Sequence, residues 1–124
     1  MVLLDTCGVI ELGREKPCLK KETLKLLEEG TVVLSISFAE IAVKLKKGHL
    51  VMNLSAEELY AQYLQLSNVS IVDIGVTEWL DAIVLDWKNK DPVDRLLVAY
   101  AKKRNLRIVT SDSLIKSFFK NVLW

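Results

Sequence analysis

Hydrophobic positions along the chain alternate between two patterns. Short, nearly uninterrupted apolar runs at Val2–Leu4, Thr31–Ser37, Val69–Ile74 and Leu106–Thr110 are rich in valine, isoleucine and threonine, and each predicts a strand. The runs are continuous rather than alternating, as expected of strands covered on both faces. A short fifth strand is expected at Val122–Trp124. Between the runs, apolar residues recur at helical spacing. Helices are predicted at Lys20–Glu29, closed by Gly30; at Phe38–Lys47, closed by Gly48; at Ser55–Leu66, opened by the capping-box pattern SAEE; at Thr77–Trp87; and at Asp112–Lys120. The clearest start is DPVD at 91–94. Asp91 suits the N-cap, Pro92 the first helical position and Asp94 the first turn, where the helix dipole favours negative charge, and this helix runs to about Arg104. Strands alternating with helices predict an α/β fold with a central parallel sheet of four or five strands flanked by helices.

Length and composition narrow the picture. At 124 residues, 51% hydrophobic and 27% charged, the chain suits one globular domain, 1–124, and excludes a disordered or fibrous polymer. Asp5 interrupts the first apolar run, and no stretch approaches the roughly 18 apolar residues of a membrane span. A cytosolic protein with no membrane partner is expected. Cys7 and Cys18 lack both the density of a disulfide scaffold and the paired spacing of a zinc site, so both read as small buried hydrophobes. Trp79 and Trp87 are candidates for core or interface packing, the core preferred.

The acidic residues carry the chemistry. In a parallel sheet, ligand sites form beyond the carboxyl ends of strands. Asp5 follows the first strand, Glu40 stands three residues beyond the second, and Asp112 follows the fourth in TSD. Asp94 opens the helix that leads into that fourth strand. Each has an ordinary explanation by itself: a turn residue for Asp5, helix caps for Asp94 and Asp112, an i, i+4 pair with Lys44 for Glu40. Together the strand order puts all four at one end of one sheet, where their repulsion calls for a cation. Hard divalent ions take oxygen ligands, and Mg2+ or Mn2+ held by carboxylates can activate water for phosphodiester cleavage. No histidine is required, and the only one, His49, follows Gly48 in an expected loop. With four of the 16 acids assigned to a metal, 17 basic residues face 12 acids elsewhere, an excess of five positive charges. Lys44, Lys46 and Lys47 close to Glu40 are the candidate contacts for an RNA backbone.

LLDTCGVI, SFAEIAVKLKKGHL and DPVDRLLVAYAKKRNLRIVTSD, in this order and spacing, resemble the PIN domain, specifically the VapC-type toxin ribonucleases of prokaryotic toxin–antitoxin pairs. The third segment is the most specific. The resemblance implies a PIN-like three-layer fold and a Mg2+- or Mn2+-dependent endoribonuclease. It matches Asp5, Glu40, Asp94 and Asp112 to the metal-binding and catalytic acids, with Thr6, Ser37, Asp91 and Thr110 in supporting positions. It also implies a homodimer and inhibition by a cognate antitoxin lying in the active-site groove. Cys7 stands where asparagine or histidine is common, and Ala39 where many relatives carry an aromatic residue.

Three other readings compete. Phosphatases of the Asp-x-Asp type need a carboxylate where this chain has Cys7, and the length leaves no room for their cap. Receiver domains need a phosphate-accepting aspartate on a central strand, which the region around Leu50–Leu54 lacks. A catalytically weak PIN-like binding or scaffold protein is compatible with every motif.

Overall fold

The computed structural model covers residues 1–124. It contains five strands, β1 (Val2–Leu4), β2 (Thr31–Leu34), β3 (Val69–Val72), β4 (Arg107–Val109) and β5 (Val122–Leu123), all parallel in the order β3-β2-β1-β4-β5. Seven helices surround them: α1 (Thr6–Leu12), α2 (Lys21–Glu29), α3 (Ile36–Lys46), α4 (Ala56–Leu64), α5 (Val76–Ile83), α6 (Pro92–Arg104) and α7 (Ser113–Phe118). The expected parallel three-layer α/β architecture is therefore present, with the fifth strand in place.

Two apolar layers explain the uninterrupted strand sequences. Leu3, Val32, Leu34 and Ile108 point to one face and pack with Leu96–Ala101 of α6 and Ile115 of α7. Val2, Leu4, Val33 and Val109 point to the other and meet Val9, Ile10, Ile41, Leu59 and Tyr63. Every position in β1 and β2 is buried because successive side chains enter opposite cores. The run Leu96–Ala101 is buried around the helix, making α6 the central helix of its layer.

Helix ends follow the anticipated chemistry. Ser55 and Glu58 exchange hydrogen bonds as a capping box. Asp91 accepts from the N–H groups of Val93 and Asp94, with Pro92 at the first helical position. After α3, Gly48 takes a left-handed backbone at φ 72°, which suits glycine.

The structure departs from the expectations at several places. The second strand stops at Leu34 rather than Ser37, because Ser35–Ser37 turn into α3, where Ser37 is buried against Thr6. The expected helix at Thr77–Trp87 ends at Ile83, and the following segment runs non-helically into α6. Helix α1 was not anticipated, since TCGVIEL carries a glycine and β-branched residues and offers little helical signal. Cys18 is exposed rather than buried, in the extended segment before α2, where its N–H donates to Glu11 Oε1 at 2.8 Å. Trp87 stacks on Phe118 at 4.6 Å, whereas Trp79 stays 37% exposed on α5.

Candidate functional site

The strand order reverses around β1, which lies between β2 and β4. A crevice opens beyond the carboxyl ends of strands at such a switch. Asp5 is the first residue past β1, and it does two things there. Its backbone N–H continues the sheet by donating to Val109 O, and its side chain caps α1 by accepting from Gly8 N at 2.9 Å. Asp5 is 4% exposed, and both of its carboxylate oxygens accept hydrogen bonds. Oδ1 also accepts from the Cys7 thiol at 2.9 Å, and Oδ2 accepts a short hydrogen bond from the Thr110 hydroxyl. Burial pushes the Asp5 pKa above its ordinary value; the Cys7, Thr110 and Gly8 hydrogen bonds pull against that rise, while the nearby Asp112 charge adds to it.

Asp94, Glu40 and Asp112 converge on the same crevice from three helices. Together with Asp5, Thr6, Cys7, Lys44, Leu97 and Ser111 they line a cleft of about 130 Å³. Asp94 projects from the first turn of α6. Burial raises its pKa to about 6; the Asn89 hydrogen bond opposes this, while the charges of Asp91, Asp112 and Glu40 add to it. Asp112 caps α7, its Oδ1 accepting from Leu114 N at 2.8 Å and Ile115 N at 3.1 Å. Glu40 lies 3.9 Å from Lys44 Nζ, a loose i, i+4 pair.

The supporting residues divide into two links. Thr6 donates to Ser37 Oγ at 3.1 Å, both buried, tying α1 to α3 beneath the cleft. Thr110 joins Asp5 to Asp112, since its hydroxyl donates to Asp5 and accepts from Asp112 N at 3.0 Å. Asp91 is occupied as the cap of α6 and does not line the cleft. Among the lysines, Lys44 reaches the cleft, and Lys46 and Lys47 are exposed further along α3 without lining it. His49, expected in a solvated loop, is exposed and lines a second hollow beside Cys7, Lys44 and Ser111.

The donor set is oxygen-rich and hard, which suits Mg2+ or Mn2+. No group of three or more His, Cys, Asp or Glu side chains is gathered tightly enough to enclose an ion. Spread carboxylates of this kind fit an ion that keeps several waters, as Mg2+ does. Sequence reasoning missed Asn89, Ser111 and Leu97. Asn89 precedes DPVD without any helical or strand signal of its own, and only folding brings it to Asp94.

The sequence pattern of the PIN domain family matches residues 2–119. The chain belongs to the PIN domain family. No match was found among curated proteins. Solved structures with the same fold include a toxin–antitoxin complex from Klebsiella pneumoniae, 21% identical, covering 100% of this chain and 97% of that one with a TM-score of 0.69. VapC20 of Mycobacterium tuberculosis, described as a Sarcin-Ricin loop cleaving toxin, is 14% identical over 94% of each chain with a TM-score of 0.68. FitAcB from Neisseria gonorrhoeae is 21% identical over 100% of this chain and 97% of that one, with a TM-score of 0.56. This PIN domain thus has its four acids around one cleft beyond the carboxyl end of β1, the strand that lies between β2 and β4.

Proposed function

We propose that this PIN domain is a divalent-metal-dependent endoribonuclease and the toxin of a toxin–antitoxin pair. The observation that carries the reading is the convergence of Asp5, Glu40, Asp94 and Asp112 on one cleft from four separate stretches of sequence. Asp5, Glu40 and Asp94 would hold the main Mg2+ or Mn2+ ion, and Asp112 would assist or hold a second. When bound, such an ion supplies charge that activates water and stabilises the leaving oxygen of a phosphodiester. Thr110 fixes the Asp5 carboxylate, Leu97 closes the floor with an apolar surface, and Lys44 puts a positive charge where an RNA phosphate enters.

The toxin reading draws on the shared fold. The Klebsiella pneumoniae structure is a toxin–antitoxin complex, and VapC20 cleaves the Sarcin-Ricin loop. By that likeness the substrate here is RNA, and an antitoxin segment would cover the cleft. We also assign the expected homodimer contact to α5 and its C-cap, where Val76, Leu80, Ile83 and Val84 form an exposed apolar face.

Cleavage of end-labelled RNA with Mg2+ or Mn2+ tests the activity. Glu40→Gln and Asp94→Asn should each lower the rate by about 100-fold or more if they act on developing charge, with cooperative thermal melts retained. Asp5→Asn and Asp112→Asn keep a competent N-cap, so they remove charge while preserving the helix starts. Cleavage that survives in all four variants would sink the nuclease reading and favour a binding or scaffold role. Growth arrest on expression, lost in Asp94→Asn, tests the toxin assignment.

A further inference from the structure

The segment joining α5 to α6 has no regular structure, yet one side chain binds three of its carbonyls and two more at the end of α5. Arg95, in the first turns of α6, aims its guanidinium back into that connection. Nε donates to Ala82 O at 3.0 Å. Nη1 donates to Trp87 O at 2.7 Å and Asn89 O at 2.9 Å, and Nη2 donates to Ile83 O at 3.1 Å and Leu85 O at 2.6 Å. All five guanidinium N–H groups are used, each on a different carbonyl. None of the ion pairs involves Arg95. Two of these acceptors, the carbonyls of Ala82 and Ile83, are ones that a further turn of α5 would have bonded.

The connection delivers Asn89. Its backbone carbonyl is held by Arg95, and its side chain bridges two groups at the start of α6. Nδ2 donates to Asp94 Oδ2 at 2.9 Å, and Oδ1 accepts from Asp91 N at 2.9 Å. The amide is thereby oriented at both ends, and Asp94 has one oxygen fixed and the other free of protein hydrogen bonds at the cleft.

We propose that Asn89 and Arg95 are positioning residues for the acidic centre: Arg95 shapes the 82–89 connection so that the Asn89 amide holds one oxygen of Asp94 and presents the other to the cation. The inference rests on the reading of Asp94 as a metal ligand. Groups that orient a metal ligand are typically worth about 10- to 100-fold in metal affinity. A lysine at position 95 keeps the charge but offers a point donor in place of the planar five-donor fork.

Calorimetric titration of the metal-free protein with Mn2+ tests this in wild type, Asn89→Ala, Arg95→Lys, Asp94→Asn and the Asn89→Ala/Asp94→Asn pair. Asn89→Ala should weaken Mn2+ binding about 10-fold or more, keep a cooperative melt, and recover RNA cleavage as Mn2+ is raised. Arg95→Lys should also weaken Mn2+ binding, with a lower melting midpoint. The double variant should bind no more weakly than Asp94→Asn alone, because Asn89 acts through that carboxylate. Wild-type Mn2+ affinity in Asn89→Ala, with binding weakened in Asp94→Asn, overturns the positioning role and leaves the metal reading standing. Wild-type affinity in Asp94→Asn overturns both.

Discussion

Asp94 is half-buried among three other carboxylates, and its titration has consequences in opposite directions for stability and for metal binding. Its pKa is raised from 3.8 to about 6, so between those values the folded chain binds more protons at this group than the unfolded chain does. Stability contributed by the group therefore falls as pH rises through that window and levels off above it. Asp94→Asn removes the titration while keeping an acceptor oxygen for Asn89. In metal-free melts, the midpoint of the variant relative to wild type should climb between pH 3.8 and about 6; a flat difference would refute the buried-charge account. Mn2+ affinity should move the other way, dropping below about pH 6 as protons compete for Asp94. The two cysteines allow a second expectation. Cys7 lines the cleft and its thiol pKa is raised, chiefly by burial and then by the Asp5 charge and hydrogen bond, whereas Cys18 is exposed. A maleimide should consume Cys18 first, without effect on RNA cleavage, and Cys7 slowly, with loss of cleavage as the adduct fills the cleft. Cys7→Ser should resist this inactivation and Cys18→Ser should not; equal sensitivity in both variants would contradict the placement.

Helix α1 is the element whose start depends most on tertiary structure. Asp5 leaves β1 and caps α1 with no intervening loop, and the turn is tight enough that Gly8 lies directly on the sheet. A Cβ at Gly8 would fall 2.3 Å from Leu4 Cδ1 and 3.3 Å from the carbonyl of Val109. Leu4 is fully buried and cannot swing away freely. Gly8→Ala should therefore destabilise by about 1–3 kcal/mol, the usual range for overpacking, despite alanine's better helix propensity. Chemical denaturation measures this directly, and a stabilised variant would show that the contact relaxes. The same helix marks the limit of what could be read in advance. Strands β1 to β4 and helix α6 were legible because their signals are local: continuous β-branched runs, and the Asp-Pro start of DPVD. The four acids were legible because strand ends can be placed from those runs. The end of α5 and the role of Asn89 were not: Arg95 reaches back across the connection to both, a contact that no periodicity in the sequence encodes. Ser35–Ser37 misled for a related reason: a strand-like composition was overruled by the buried Thr6–Ser37 hydrogen bond.

No helix of the molecule is long and apolar enough to cross a membrane; α5 carries an exposed apolar face. Val76, Leu80, Ile83 and Val84 recur at i, i+4, i+7 and i+8, the spacing of a single helical stripe, and Ile83 and Val84 are 72% and 79% exposed. The inner side of the same helix is anchored through Ala82 against α6, so α5 presents a firm surface rather than a loose one. Contiguous exposed apolar residues of this kind mark association sites, and the proposed homodimer supplies a partner with the same stripe, as a two-fold contact requires. Val76→Glu with Leu80→Glu would place four like charges across that contact in the dimer while touching no residue of the cleft or of the Arg95 network. Sedimentation should then show wild type as a dimer and the double variant as a monomer with a cooperative melt. Mn2+ binding per chain should be retained by the monomer, because all four acids and Asn89 belong to one chain. A wild-type monomer would remove the dimer assignment, and a double variant that still dimerises would move the contact off α5.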